Sequence, residues 1–126
     1  MGKKKILIVE DDEILRSLYV ELLASEGFEV EEAADGEIGW QKVHQGGHDL
    51  IVLDLVLPKM DGLEVLRQLT KNPSQKPNGP IVILTNLGQD SVIREGLSLG
   101  AAGYLIKSAF NPDQVLLELK NFLGKN

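Results

Sequence analysis

Asp54 stands at the end of an apolar run, in "IVLDLVLPKMDG", where its neighbours belong in a buried strand. A carboxylate taken out of water without partners costs several kcal/mol, or else takes up a proton. Either Asp54 faces solvent at a strand end, or nearby groups make its charge worth keeping. Such groups exist at matching places. Glu10 and Asp11 follow the apolar run Lys5–Val9, Thr85 closes the run 80–85, and Lys107 closes the run 102–107. Three carboxylates in one cleft repel by a few kcal/mol per close pair at an effective dielectric of about 20, so the cluster calls for a divalent cation. With no His or Cys in the pattern, oxygen ligands favour a hard ion. Mg²⁺ typically takes one or two carboxylates, several waters and a phosphate oxygen. A carboxylate nucleophile, a metal, a lysine and a hydroxyl donor are the parts needed to move a phosphoryl group. Metal and ammonium offset charge on the transferring oxygens, the hydroxyl donates to one of them, and the carboxylate attacks in line.

Five short apolar runs have to bring these residues together: Lys5–Val9 and residues 28–33, 49–54, 80–85 and 102–107. The first, third and fourth are almost continuously Ile, Val and Leu, the pattern of parallel strands covered on both faces. The second alternates Phe28 and Val30 with Glu29 and Glu31, as an edge strand with one wet face does. Helical patterns lie between them. Ile14, Leu15, Leu18, Leu22 and Leu23 trace one apolar stripe, capped by Asp12 and stopped by Gly27. Asp35 and Gly36 open a second helix through Trp40 and Val43, ended by Gly46 and Gly47. Leu63, Leu66 and Leu69 follow Gly62 in a third. Asp90 caps a fourth, softened by Gly96 and closed by Gly100. The fifth has Asn111 as N-cap, Pro112 in its first turn, Gln114 for a capping box and Gly124 past its end.

Strand and helix alternating five times predict an α/β fold, a doubly wound five-stranded parallel sheet with helices on both faces. Ligands in such sheets bind beyond the carboxyl ends of the strands, where the strand order reverses. In the order 2-1-3-4-5, strands one and three are neighbours. Glu10, Asp11 and Asp54 then converge, with Thr85 and Lys107 approaching from the other side.

The 126 residues suffice for one domain with one core. The absence of cysteine excludes disulfides, thiolate metal sites and cysteine nucleophiles. No apolar run is long enough to span a membrane, and the basic start "MGKKKILIV" breaks into acidic residues too soon for a signal peptide, so a soluble cytoplasmic protein is expected. A net charge of −6 argues against direct nucleic-acid binding. No GxGxxG follows the first strand and no GKS or GKT occurs, so dinucleotide and P-loop functions lose their main support. Trp40 is expected to face the core, and His44 and His48 to lie at the surface beside Gly46 and Gly47.

"ILIVEDD", "DLIVLDLVLPKMDG", "IVILTN" and "GAAGYLIK", in this order and spacing, resemble the receiver domain of bacterial two-component response regulators. The resemblance, to a CheY-like and flavodoxin-like fold, covers essentially the whole chain. It implies that residues 1–126 form a single receiver domain with no output domain in this chain, either a stand-alone regulator or a piece of a longer one, and a switch that catalyses only its own phosphorylation and dephosphorylation. Asp54 would be the phosphoacceptor, loaded by a sensor histidine kinase, a phosphotransfer protein or a small phosphodonor. Mg²⁺ would be the cofactor, ligated by Asp11 directly, by Glu10 through water, by Asp54 and by the Val56 backbone carbonyl. Lys107 would contact the phosphoryl group. Thr85 would swing toward it and Tyr104 would turn inward, remodelling the face built by helix four, strand five and helix five. A downstream protein, or a second copy in a phosphorylation-dependent dimer, would read that face.

Three departures from the family pattern stand out. Ser108 follows Lys107 where the family has a proline after a cis bond, and a cis bond before a non-proline residue costs about 2.5–4 kcal/mol. A trans bond is therefore expected, with Lys107 slightly displaced. Asn86 replaces a small residue and narrows the approach to Asp54. Val56 and Leu87 are apolar and unable to orient an attacking water, so slow hydrolysis of a phosphorylated Asp54 is expected. Two other readings compete: a binding module that keeps the fold without phosphorylation, and a Mg²⁺-dependent phosphohydrolase. Leu55 and Val56, following Asp54, leave the second without a catalytic acid-base.

Overall fold

The computed structural model describes residues 2–86 and 90–124. Its elements run β1 (Lys5–Val9), α1 (Glu13–Ser25), β2 (Glu29–Ala33), α2 (Gly36–Gln45), β3 (Leu50–Leu53), α3 (Gly62–Lys71), β4 (Ile81–Thr85), α4 (Asp90–Ser98), β5 (Gly103–Ile106) and α5 (Pro112–Leu123). A 3₁₀ turn, Lys107–Ala109, joins β5 to α5. The strands form one parallel sheet in the order β2-β1-β3-β4-β5, as expected from the alternation.

Side chains alternate across a strand, and here both faces are covered. Ile6, Ile8, Leu50, Val52, Val82 and Leu84 pack with Tyr19, Leu23, Val115 and Leu119 of α1 and α5. Leu7, Val9, Ile51, Leu53 and Ile81 pack on the other side with Val43 of α2 and Val65 and Leu66 of α3. Ile83 joins Leu55 and Ala101 in a smaller cluster. That two-sided burial is why the central runs are apolar without a break.

Local signals set the helix ends. Asp12 accepts from the Leu15 N–H and Asp35 from the Ile38 N–H. Asn111 and Gln114 make both bonds of a capping box. Gly27 and Gly100 take positive φ angles of 92° and 113°, a conformation that favours glycine. Asp90 lies in the first turn of α4 rather than before it, and the preceding residue lies outside the described residues.

Two further expectations need correcting and one needs extending. The apolar stripe of α1 does not all face inward: Ile14 is 84% exposed and Leu18 37% exposed, while Tyr19 is buried. The inner row is Leu15, Tyr19 and Leu23, spaced four residues apart. Gly96 does more than soften α4. A Cβ there would lie 2.4 Å from Ile83 Cδ1, so its bareness lets the helix sit close on β4. His48 is not at the surface; it is 3% exposed. Its Nε2 lies 2.8 Å from Glu31 Oε1 and its Nδ1 lies 3.2 Å from Asn78 Oδ1, and Asn78 Nδ2 donates to the Val43 carbonyl at 2.9 Å. Partners from β2 and from the loop before β4 make this burial affordable. His44 stacks on Trp40, with ring centroids 4.9 Å apart, and Trp40 packs against the core.

Candidate functional site

The strand order reverses between β1 and β3, and their carboxyl ends open into a cleft of about 360 Å³. Glu10, Asp11, Asp12, Asp54, Val56, Thr85, Asn86 and Lys107 line it. β1 and β3 stop at Val9 and Leu53, so Glu10 and Asp54 are the first residues past neighbouring strands. The Asp54 N–H still donates to the Val9 carbonyl at 3.1 Å, which registers the two ends against each other. Glu10, Asp54 and Thr85 are buried, whereas Asp11 and Asn86 are exposed.

Lys107 enters from the 3₁₀ turn after β5. Its ammonium donates to Asp54 Oδ2 at 2.7 Å and also pairs with Glu10 Oε1. No peptide bond among the described residues is cis, that of Lys107 to Ser108 included. The trans bond was expected, and with it the Lys107 ammonium reaches the Asp54 carboxylate directly. Asp54 Oδ1 accepts from the Val56 N–H at 3.2 Å, and Glu10 Oε2 from the Asp12 N–H at 3.0 Å. Asp12 therefore serves the helix cap and, through its N–H, steadies Glu10.

Burial pushes the Glu10 carboxyl above its ordinary pKa, against the pull of Lys107 and the Asp12 N–H. Burial also works against the Lys107 ammonium, but its hydrogen bonds to Asp54 and Glu10 outweigh that and hold its pKa above the ordinary value. The cleft thus has a strong demand for positive charge, met by one ammonium.

A divalent cation fits this donor set. Carboxylate oxygens of Glu10, Asp11 and Asp54 all lie within 4.8 Å of one another. Ligands on opposite sides of Mg²⁺ are about 4.2 Å apart, twice its bond length, so small side-chain rotations, or a bridging water on one carboxylate, complete the fit. All donors are hard oxygens, and the ion would sit beside Asp54.

Tyr104 lies on β5, opposite Ile83 in register, and is 46% exposed; it is not among the residues lining the cleft. Leu87, expected near the site, lies outside the described residues. Sequence reasoning missed Arg16, which donates to the Glu10 carbonyl at 2.8 Å. It also missed Gly62, whose Cα faces the Asp54 carbonyl. Gly62 at the head of a helix carries a signal, but only for the turn and not for this contact.

A doubly wound parallel sheet with buried acids and a lysine converging at its switch point defines the class, an α/β domain with an acidic cleft at its strand ends. Comparison with known proteins makes the assignment specific: residues 6–120 match the response regulator receiver domain, and the chain belongs to that family. It is 35% identical over 121 residues to the transcriptional regulatory protein SrrA of Staphylococcus aureus, covering 96% of this chain and 48% of that protein. The chain thus spans about half the length of the curated relatives it matches. Among solved structures it is similar to a CheY-like receiver domain protein from Methanospirillum hungatei, at 30% identity and a TM-score of 0.86, covering 98% of this chain and 96% of that one. It is also similar to the BeF3-activated DrrB receiver domain, at 28% identity and a TM-score of 0.80, covering 98% and 99% of the two chains.

Proposed function

We propose that this receiver domain is a Mg²⁺-dependent switch phosphorylated on Asp54 by a sensor histidine kinase, a phosphotransfer protein or a small phosphodonor. The observation that carries the reading is the Lys107 ammonium held between the Asp54 and Glu10 carboxylates, a cation already poised beside the nucleophile. The similar DrrB receiver domain is described as activated by BeF3, a phosphoryl mimic.

Glu10, Asp11, Asp54 and the Val56 carbonyl would hold Mg²⁺, which when bound offsets charge on the transferring oxygens. An Asp54 carboxylate oxygen attacks phosphorus in line, and the bond to the donor's leaving group breaks with its electron pair. Lys107 then contacts one phosphoryl oxygen and the Thr85 hydroxyl another. Drawing Thr85 in vacates space for Tyr104 to turn inward, which alters the surface of α4, β5 and α5. Those elements expose Leu97, Tyr104 and Leu117 respectively, apolar groups suited to a protein partner.

The test is intact-protein mass after incubation with Mg²⁺ and acetyl phosphate, for the wild type and Asp54→Asn. One added phosphoryl group, absent in the variant and without Mg²⁺, is the expected result. No added mass under any condition would favour a phosphorylation-independent binding module.

A further inference from the structure

β1 delivers Glu10 and Asp11 to the cleft, yet its ladder ends one residue too early to hold them. The Glu10 N–H donates to the Ala33 carbonyl of β2 at 3.0 Å, and the Val9 carbonyl accepts from Asp54. The Glu10 carbonyl lies beyond these ladder bonds and needs a partner of its own, because buried backbone groups are almost always paired. Arg16 supplies it from α1. Nη1 donates to the Glu10 carbonyl oxygen at 2.8 Å, while Nε of the same guanidinium donates to Glu32 Oε1 at 2.9 Å. The Arg16 side chain is only 14% exposed. One planar group thereby ties together the start of α1, the end of β1 and the edge strand β2.

We propose that Arg16 is a positioning residue for Glu10 and Asp11, and that it sets the affinity of the cleft for a divalent cation. The proposal rests on the Mg²⁺ reading given above. The carbonyl that Arg16 holds belongs to the peptide unit joining the two acids. That unit is planar, so its orientation fixes ψ at Glu10 and φ at Asp11, and a change in either angle that the other does not compensate swings one carboxylate away from the other. The mutual repulsion of carboxylates clustered within 4.8 Å favours such a swing whenever cations are scarce. Arg16 opposes it with a charge-assisted hydrogen bond, roughly twice as strong as a neutral one.

A lysine is no substitute. The guanidinium is a rigid fork whose two donors, here Nη1 and Nε, point at two acceptors on different strands, whereas an ammonium is a point charge on a flexible stem. Glu32 belongs to the device as the far anchor of the fork. Arg16 makes its bond to the backbone of Glu10, not to its carboxylate, so it acts on the ion through the geometry of its ligands.

The experiment is isothermal titration of Mg²⁺ into the unphosphorylated wild type, Arg16→Ala, Arg16→Lys and Glu32→Gln, with a thermal melt of each. Arg16→Ala is expected to bind Mg²⁺ about tenfold more weakly, as loss of an outer-shell partner does. Arg16→Lys should recover only part of that loss, and Glu32→Gln should show a smaller loss of the same kind. The half-saturating Mg²⁺ for phosphorylation by acetyl phosphate should rise by the same factor as the dissociation constant. A merely structural role would lower the melting temperature and leave the Mg²⁺ affinity of the folded protein unchanged. Equal affinity in the wild type and all folded variants, whatever their melting temperatures, overturns the proposal while sparing the Mg²⁺ reading. A wild type that binds no Mg²⁺ overturns both. Should Arg16→Ala fail to fold, Arg16→Lys and Glu32→Gln decide by the same comparison.

Discussion

A Cβ on Gly62 would lie 2.3 Å from the backbone carbonyl oxygen of Asp54. The first residue of α3 is thus pressed against the strand end that carries the proposed phosphoacceptor, and the Gly62 N–H donates to the neighbouring Leu55 carbonyl at 2.9 Å. Backbone on both sides leaves little room to yield. Gly62→Ala is expected to destabilise the protein by about 1–3 kcal/mol, as overpacking does, and to slow phosphorylation of Asp54. Urea unfolding and the rate of mass gain with acetyl phosphate check the two effects. Wild-type values for both would show that the turn after β3 gives way freely.

Lys107 stands in for part of the positive charge that the acids demand. Removing one partner of a buried ion pair costs about 3–5 kcal/mol, since the remaining charge is left uncompensated. Lys107→Ala should therefore be less stable than the wild type in EDTA. With two carboxylates freed, Mg²⁺ should recover much of the loss, so the rise in melting temperature on adding Mg²⁺ should be larger in the variant. A smaller rise would mean that Lys107 helps to seat the ion instead of competing with it.

Glu31 provides a pH signature far from the cleft. Burial raises its pKa, but hydrogen bonds from His48 and Lys5, with the charges of Lys5 and Lys42, outweigh this and hold it below the ordinary 4.5. A depressed folded-state pKa contributes stability above the unfolded value, which is lost as pH falls through the folded one. Glu31→Gln is expected to be less stable than the wild type at neutral pH, with the gap closing as the pH falls below the ordinary 4.5. Denaturant midpoints measured across that range would expose a constant gap, which would rule the linkage out.

On the proposed function, a phosphoryl group placed on Asp54 should be long-lived. Val56 lines the cleft and is 57% exposed, yet it offers no side-chain acceptor to orient a water. Val56→Gln supplies a carbonyl at that point, and water-orienting glutamines act in this way in other phosphoryl-transfer sites. Loss of the added mass over time should be several-fold faster in the variant. Decay of the wild type within seconds would contradict the slow-hydrolysis reading.

The sheet was legible because two-sided burial demands unbroken apolar runs, and the acids were legible because they interrupt those runs at their ends. The rows of α1 were less so. Ile14, Leu15, Leu18 and Tyr19 form two adjacent rows one residue apart, and hydropathy favours the row with Ile14 although Tyr19 is the one buried. Only the position of α5 decides between them, and periodicity within α1 cannot report that. His48 was misread for a related reason. Its burial depends on Glu31 and Asn78, 17 and 30 residues away, and nothing beside it in sequence announces them. Arg16 was silent because its acceptor is a backbone carbonyl, which has no letter in the sequence.

Residues 72–80, rich in proline, asparagine and glycine, have the composition of a slack connection. Four backbone hydrogen bonds nevertheless fasten them to the end of α2 and the turn into β3: Gln75 N–H to His44, Lys76 N–H to Gln45, Gly47 N–H to Pro77 and Gly79 N–H to His48. The Asn78 side chain bonds His48 and Val43 beside them. This segment is therefore a poor place for a fluorescent label, an epitope tag or a circularly permuted terminus, because a passenger there would prise apart the pole of the sheet opposite the cleft. The amides of Gly47, Gln75 and Gly79 should exchange with deuterium on the slow schedule of the core strands, not the fast one of a surface loop.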